Sequence, residues 1–352
     1  MTGLFDIQFH EDKIKEYQPP LSKLDKIINW NIFKEPIEKA LYVKPKGLGG
    51  RPPFCKLLMF KILILQKYYN LSDKQTEFQI NDRTSFKLFL GLSIGDKIPD
   101  EKTLWHFKEQ LTKKDLSQDL FNLFTKQLIN NDIIMKEGSI IDASFVDVPR
   151  QRNNKDDNKD IKKGAIPLSF AKKDKNGNYS KLSQKDVDAR WTKKGDEKHY
   201  GYKDHINADK NTKLITKYSV SIASLHDSKE TKNIINETDN TLYADSAYRS
   251  KEIEKYLEDK QCKSFVHEKG YRGSPLSKEQ KESNNIKSKV RARVEHIFGF
   301  MTNSMNNALY MRCIGINRIR FNIGFLNLTY NLFRYEQLPT FKPEVQFFKN
   351  KK

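Results

Sequence analysis

The hydrophobic pattern of this chain changes period once, at Lys136-Glu137-Gly138, and that change limits the folds open to it. Upstream, apolar residues recur at helical spacing. Leu57, Leu58, Phe60, Ile62, Leu63, Ile64, Leu65 and Tyr68 predict a buried helix over 54–69. In Leu71-Ser72-Asp73, either Ser72 or Asp73 can cap a helix over about 74–79. Asp82 and Ser85 bracket another start into 86–90, and Gly91 is placed to stop it. Asp100 precedes a helix over 101–111 with Leu104, Phe107 and Leu111 on one face, and 120–128 continues the pattern. Short helices are also suggested at 25–30 and 37–43. The Gly/Pro-rich basic stretch from Lys44 to Pro53 reads as a linker or a DNA-touching arm.

Downstream, β-branched runs take over. Residues 139–148 predict a strand. Residues 147–198 are charged, poor in apolar side chains and carry a cationic excess. They predict a long loop or partly ordered insertion, either a solvated spacer or a DNA contact. Residues 200–209 and 214–222 read as a hairpin turning at Lys210-Asn211. A helix from His226 to Ile235 follows, then a strand at 241–244, a helix at 250–257 and a strand at 262–266. After these come a polar connection over 269–285, a helix over 286–306, an apolar helix over 316–333 and a loose basic tail. This order predicts an all-α region over 1–135, an α/β region over 136–335 and a tail over 336–352.

The net charge is +19 and the pI about 9.5, which favours a polyanionic partner. The tight-turned helices of the first region are compatible with a helix-turn-helix. Cys55, Cys262 and Cys313 lie far apart, so neither a disulfide framework nor a zinc site is expected, and a reducing, cytoplasmic compartment is. Asp6, His10, Glu11 and Asp12 interrupt any signal-peptide core. The most apolar run, 57–65, contains Lys61 and is too short to span a bilayer, so no membrane partner is expected.

Three acids stand out. The runs Ile140-Ile141-Asp142 and Leu242-Tyr243-Ala244-Asp245 each end in an aspartate, and a later helix carries Glu295 among Lys289, Arg291 and Arg293. Metal-dependent phosphodiester cleavage uses two divalent ions about 3.5–4 Å apart. Hard ions such as Mg²⁺ or Mn²⁺ prefer carboxylate oxygens, so three carboxylates suffice. Asp142 would bridge the ions, with Asp245 and Glu295 holding one each. On the helix, Val290, Val294, Ile297, Met301 and Met305 form the buried stripe. Arg291, one turn before Glu295, is expected to face DNA. Singly, each acid is more often a cap or half of a surface ion pair.

The ordered set of motifs resembles the transposases of bacterial insertion sequences of the IS5-like (IS4/IS5) group, within the DDE class. In the first region the resemblance rests on Gly50-Arg51-Pro52-Pro53, Leu71-Ser72-Asp73, Asp82-Arg83-Thr84-Ser85-Phe86, Phe89-Leu90-Gly91-Leu92 and 99–105. In the second it rests on Ile141-Asp142-Ala143-Ser144, Ala189-Arg190-Trp191-Thr192, Tyr200-Gly201-Tyr202-Lys203, Leu225-His226-Asp227, 244–248, Val294-Glu295-His296-Ile297-Phe298-Gly299, Arg312 and Tyr330-Asn331-Leu332. The resemblance implies an RNase H-like catalytic core, Mg²⁺ dependence, and hydrolysis at the element's ends. The resulting 3′-hydroxyl is then transferred into target DNA. It also implies an end-binding N-terminal domain, a homo-oligomer on the terminal inverted repeats, and a nucleoid-associated protein. Lys203, Arg249, Lys289, Arg291 and Arg293 are the candidate DNA contacts. The chain departs from the family at Ser288 and Thr302, where a Tyr and a Lys are common; Lys289 or Arg293 would supply the missing charge. The alternatives are an RNase H-like nuclease without strand transfer and a catalytically silent DNA-binding regulator.

Overall fold

A computed structural model describes residues 6–17, 19–44, 52–134, 137–173, 179–182, 185–236, 239–270 and 273–338. The basic stretch at 45–51 and the tail from 339 onward lie outside the described residues. The first region is helical, as its periodicity predicts: α1 (Asp6–Glu16), α2 (Pro20–Ile27), α3 (Asn31–Ala40), α4 (Lys56–Tyr68), α5 (Asp73–Asp82), α6 (Thr84–Leu90), α7 (Glu101–Lys113) and α8 (Leu116–Asn130). The caps follow the sequence. Ser72 closes a capping box with Gln75, Asp100 accepts from Thr103 N, and Gly91 ends α6 in the left-handed region at φ 67°. The polar residues of α1 gave no periodic signal for that helix.

The second region holds β1 (Ser139–Asp147), α9 (Lys155–Lys162), β2 (Ala171–Lys173), β3 (Tyr179–Leu182), β4 (Arg190–Lys194), β5 (Glu197–Asp209), β6 (Ile215–Ile222), α10 (Thr231–Ile234), β7 (Thr241–Ala244), α11 (Lys251–Asp259), β8 (Lys263–Val266), α12 (Lys278–Gly299) and α13 (Ile316–Glu336). The main sheet runs β6-β5-β1-β7-β8. The first three strands are antiparallel, while β7 and β8 run parallel to β1. That order and sense are those of an RNase H-like sheet. Helices cover both faces. Ile141, Leu242 and Ala244 pack with Ile253 and Leu257 of α11 on one face. Ile140 and Ile206 join Val294 and Ile297 of α12 on the other.

Two expectations are corrected. Residues 147–198 are not simply a loop, because α9 and the β2–β3 pair lie within them and β4 extends the sheet by pairing with β5. Buried Asp186 ties this segment down, accepting from Tyr202 Oη at 2.8 and 2.9 Å and from Gly315 N at 3.1 Å. The connection at 269–285 is helical from Lys278, where Ser277 forms a capping box with Gln280; its lack of an apolar stripe hid the start. β1 runs past Asp142 to Asp147, in line with the strand expected over 139–148.

α13 organises the packing. It is buried on every side from Ile323 to Phe333 and lies against α2, α4, α7, α8 and β6, so one core runs through both regions. Gly324 permits the close approach: a Cβ there would sit 2.4 Å from Tyr218 Oη and 2.8 Å from Ser117 Oγ. The Tyr330-Asn331 pair pins the β5–β6 hairpin. Asn331 accepts from Ile215 N and donates to Ile215 O, both at 2.8 Å, and Tyr330 Oη donates to Lys213 O at 2.9 Å. Two backbone groups at the edge of β6 thereby gain partners that a further strand would otherwise supply.

Candidate active site

β1 and β7 are paired in parallel at Ser139↔Leu242 and Ile140↔Tyr243. Continuing that register by two residues sets Asp142 beside Asp245 on one face, since side chains alternate along a strand and neighbouring strands lie about 4.8 Å apart. α12 lies against both strands on the face that holds Ile140 and Val294. Val294, Ile297, Met301 and Met305 are buried, and Val290 packs against the core, as the helical spacing predicts. Glu295 and Arg293 are left exposed and Arg291 half-buried.

Arg291 ties the acids together. Its Nη1 lies 3.0 Å from Asp142 Oδ2 and its Nη2 3.3 Å from Glu295 Oε1, while its Nε is buried with no partner. Burial pushes the Asp142 carboxyl above the usual aspartate range. The Ala143 N–H (2.8 Å) and Arg291 pull it back, and Asp245 pushes it further up. Asp245 caps the short turn Ser246–Tyr248, accepting from Ser246 N at 2.6 Å, and lies 3.9 Å from His267 Nδ1. His267 is kept toward its neutral form by burial and then by Arg291.

The other predicted residues fall into different settings. Lys289 and Arg293 lie exposed on α12, and Arg293 donates to Lys210 O. Arg249 pairs with Glu268 and lies 3.9 Å from Glu254. Lys203 is withdrawn from solvent, which corrects its expected place at the DNA. It is 8% exposed, pairs with Asp227 at 2.7 Å and donates to Leu225 O at 2.8 Å. At the two departures from the family, Ser288 Oγ lies 3.4 Å from His267 Nε2, and Thr302 Oγ1 donates back to Phe298 O at 3.0 Å. Thr302 belongs to a π-helical turn, Phe300–Ser304, that continues α12.

Sequence reasoning missed His267 and the burial of Tyr248. Tyr248 is buried with an unpartnered hydroxyl, and its pKa is raised by burial and then by Asp142, Asp227 and Asp245. Its position three residues after an aspartate was visible, but its burial depends on α11 and β8. The turn Asp227–Lys229 lies against the Ser246–Tyr248 turn, so the Leu225-His226-Asp227 motif supports the loop that carries Asp245.

Among the described residues, no group of three or more His, Cys, Asp or Glu side chains is spaced to hold a metal ion. The donor chemistry nevertheless fits a hard cation. The acids offer carboxylate oxygens alone, and a guanidinium cation already bridges Asp142 and Glu295. Residues 134–332 match the family model described as "Transposase DDE domain".

The chain belongs to the DDE transposase family.

Residues 8–110 of this transposase also match "Transposase domain (DUF772)", so both regions carry transposase sequence. Its function is that of an insertion-sequence DNA transposase, an enzyme of metal-dependent DNA cleavage and strand transfer. The family acts on DNA and uses divalent metal ions. The fold is also similar to the piggyBac transposase of a cryo-EM synaptic complex with hairpin DNA. The TM-score is 0.40 with 10% sequence identity, over 90% of this chain and 74% of that one. That likeness is too distant to bear on residue roles. Among the described residues, no helix is long and apolar enough to cross a membrane.

Proposed function

We propose that Asp142, Asp245 and Glu295 are the catalytic, metal-holding carboxylates of an IS5-like transposase. The observation that carries this reading is the β1–β7 register, which sets Asp142 beside Asp245 under the helix that presents Glu295. Two Mg²⁺ or Mn²⁺ ions held there would supply the positive charge that activates the attacking oxygen and stabilises the leaving oxygen. The protein's own residues prepare that step. Burial makes an unpaired Asp142 carboxylate costly, a cost that a cation offsets; Ser246 N orients Asp245, and Arg291 holds Asp142 and Glu295 in line. Asp142 and Glu295 would hold the cation in place of Arg291, whose guanidinium would then be free to pair with the phosphate backbone. Lys289 and Arg293 are exposed one turn apart on a different face of this helix from Arg291, so they would meet DNA away from the cut.

In this reading the helical region over 1–135 engages the element's terminal inverted repeats and supports a homo-oligomeric assembly. Residues 136–335 cut the ends and join the 3′-hydroxyl to target DNA. The test is to incubate the protein with Mg²⁺ and a plasmid carrying the sequences that flank its coding region. Cleavage products should bear 3′-hydroxyls at the element boundary and appear joined to a second DNA. Cleavage without joined products would leave a nuclease and refute strand transfer.

A further inference from the structure

Between the end of α4, the start of α5 and the segment leading into α13 lies a cleft of about 380 Å³. Lys67, Lys108 and Arg312 line it, with Asp73 as its one acid. Asp73 is already engaged, by the Lys108 ammonium and by Gln66 Nε2 at 2.8 Å. Lys67 Nζ donates to Asn322 Oδ1 at 2.8 Å, a neutral acceptor, and makes no ion pair among the described residues. Burial lowers the Lys67 pKa to about 8, with Lys108 lowering it and Cys313 and Asp73 opposing. Cys313 offers no standing negative charge, because burial pushes its thiol up to about 11. Arg312 is exposed, with its guanidinium 6.0 Å from the Tyr310 ring centre.

Lys67 is half-buried and bonds no carboxylate, which is costly for an ammonium, and an anion entering the cleft offsets that cost. The anion must present several oxygens at once, because Lys67 has spare donors and Arg312 a planar fork of them. The cleft contains none of Asp142, Asp245 and Glu295, so its role does not depend on how those acids are read. We infer that this cleft seats a backbone phosphate of DNA, with Lys67 inside it and Arg312 at its exposed rim. It would give the helical region a fixed point of contact with the duplex, where Leu71-Ser72-Asp73 and Arg312 meet across more than 200 residues of sequence.

The experiment measures affinity for a duplex carrying the sequence that flanks the coding region, in EDTA, over a range of salt. The full-length protein is compared with Lys67→Met and Arg312→Ala. Each lost phosphate contact lowers the slope of log affinity against log salt by about 0.9. The cleft seats one phosphate, so each variant should lower the slope and the double variant should lower it by about 0.9 in all. Arg312 is at the surface, so Arg312→Ala decides the matter if Lys67→Met fails to fold. Unchanged slopes in folded variants would overturn the inference. Titration with inorganic phosphate separates the two sources of this chemistry. Tight phosphate binding that Arg312→Ala removes, with an unaltered DNA slope, would make the cleft a free-phosphate site and overturn the proposal as well.

Discussion

Asp204 gives the sharpest stability prediction. It lies in β5, fully buried, with Oδ1 accepting from Asn327 Nδ2 at 3.2 Å and Oδ2 unpartnered. Burial raises its pKa to about 7, and the Asn327 bond only partly opposes this. The unfolded chain titrates near 3.8, so from there to about 7 the native state holds a proton that the unfolded state has lost. The group's contribution is therefore fully present below pH 3.8 and is lost as pH rises through 7. A shift of about three units corresponds to at most about 4 kcal/mol at pH 8. Asp204→Asn keeps the shape and the acceptor for Asn327 but cannot ionise. Urea denaturation of both proteins from pH 4 to 9 should give a difference curve near its minimum at pH 4. The curve should rise in the variant's favour and flatten above pH 7. A flat or falling difference would refute the reasoning.

Three further predictions concern packing and the site. Asn331→Leu removes both partners of Ile215 and should cost about 2–4 kcal/mol by chemical denaturation, as two buried backbone groups lose their bonds. Gly324→Val forces Cβ against Tyr218 Oη and Ser117 Oγ and should cost at least about 1–3 kcal/mol by the same assay. Arg291→Gln removes the cation that competes for Asp142 and Glu295. A charge-assisted bond of about 1.5–3 kcal/mol translates into about 10–100-fold tighter Mn²⁺ binding without DNA. Titration calorimetry checks this, and unchanged or weaker Mn²⁺ binding would contradict it.

Helices α4 to α8 were legible because their apolar periods and caps are local: Ser72, Gly91 and Asp100 act within a few residues of where they stand. The strands β1, β7 and β8 were legible as short β-branched runs between polar turns. β4 was not, because Arg190-Trp191-Thr192-Lys193-Lys194 is an exposed edge strand whose partner is the start of β5. The start of α12 was hidden because residues 278–289 meet little core. Asp142, Asp245 and Glu295 could be named from spacing and resemblance. What they touch could not, because the contacts cross long sequence separations. The Arg291 bridge between Asp142 and Glu295 and the pairing of Lys203 with Asp227 are among those contacts.

Asp142, Asp245 and Glu295 are proposed to perform metal-dependent cleavage together. The most direct measurement is Mg²⁺-dependent nicking of an end-labelled duplex carrying the element terminus, for wild type and for Asp142→Ala, Asp245→Ala and Glu295→Ala, with DNA affinity measured in parallel in EDTA. Each variant should lose cleavage while retaining affinity within a few-fold. Normal cleavage by any one of the three would contradict its assignment.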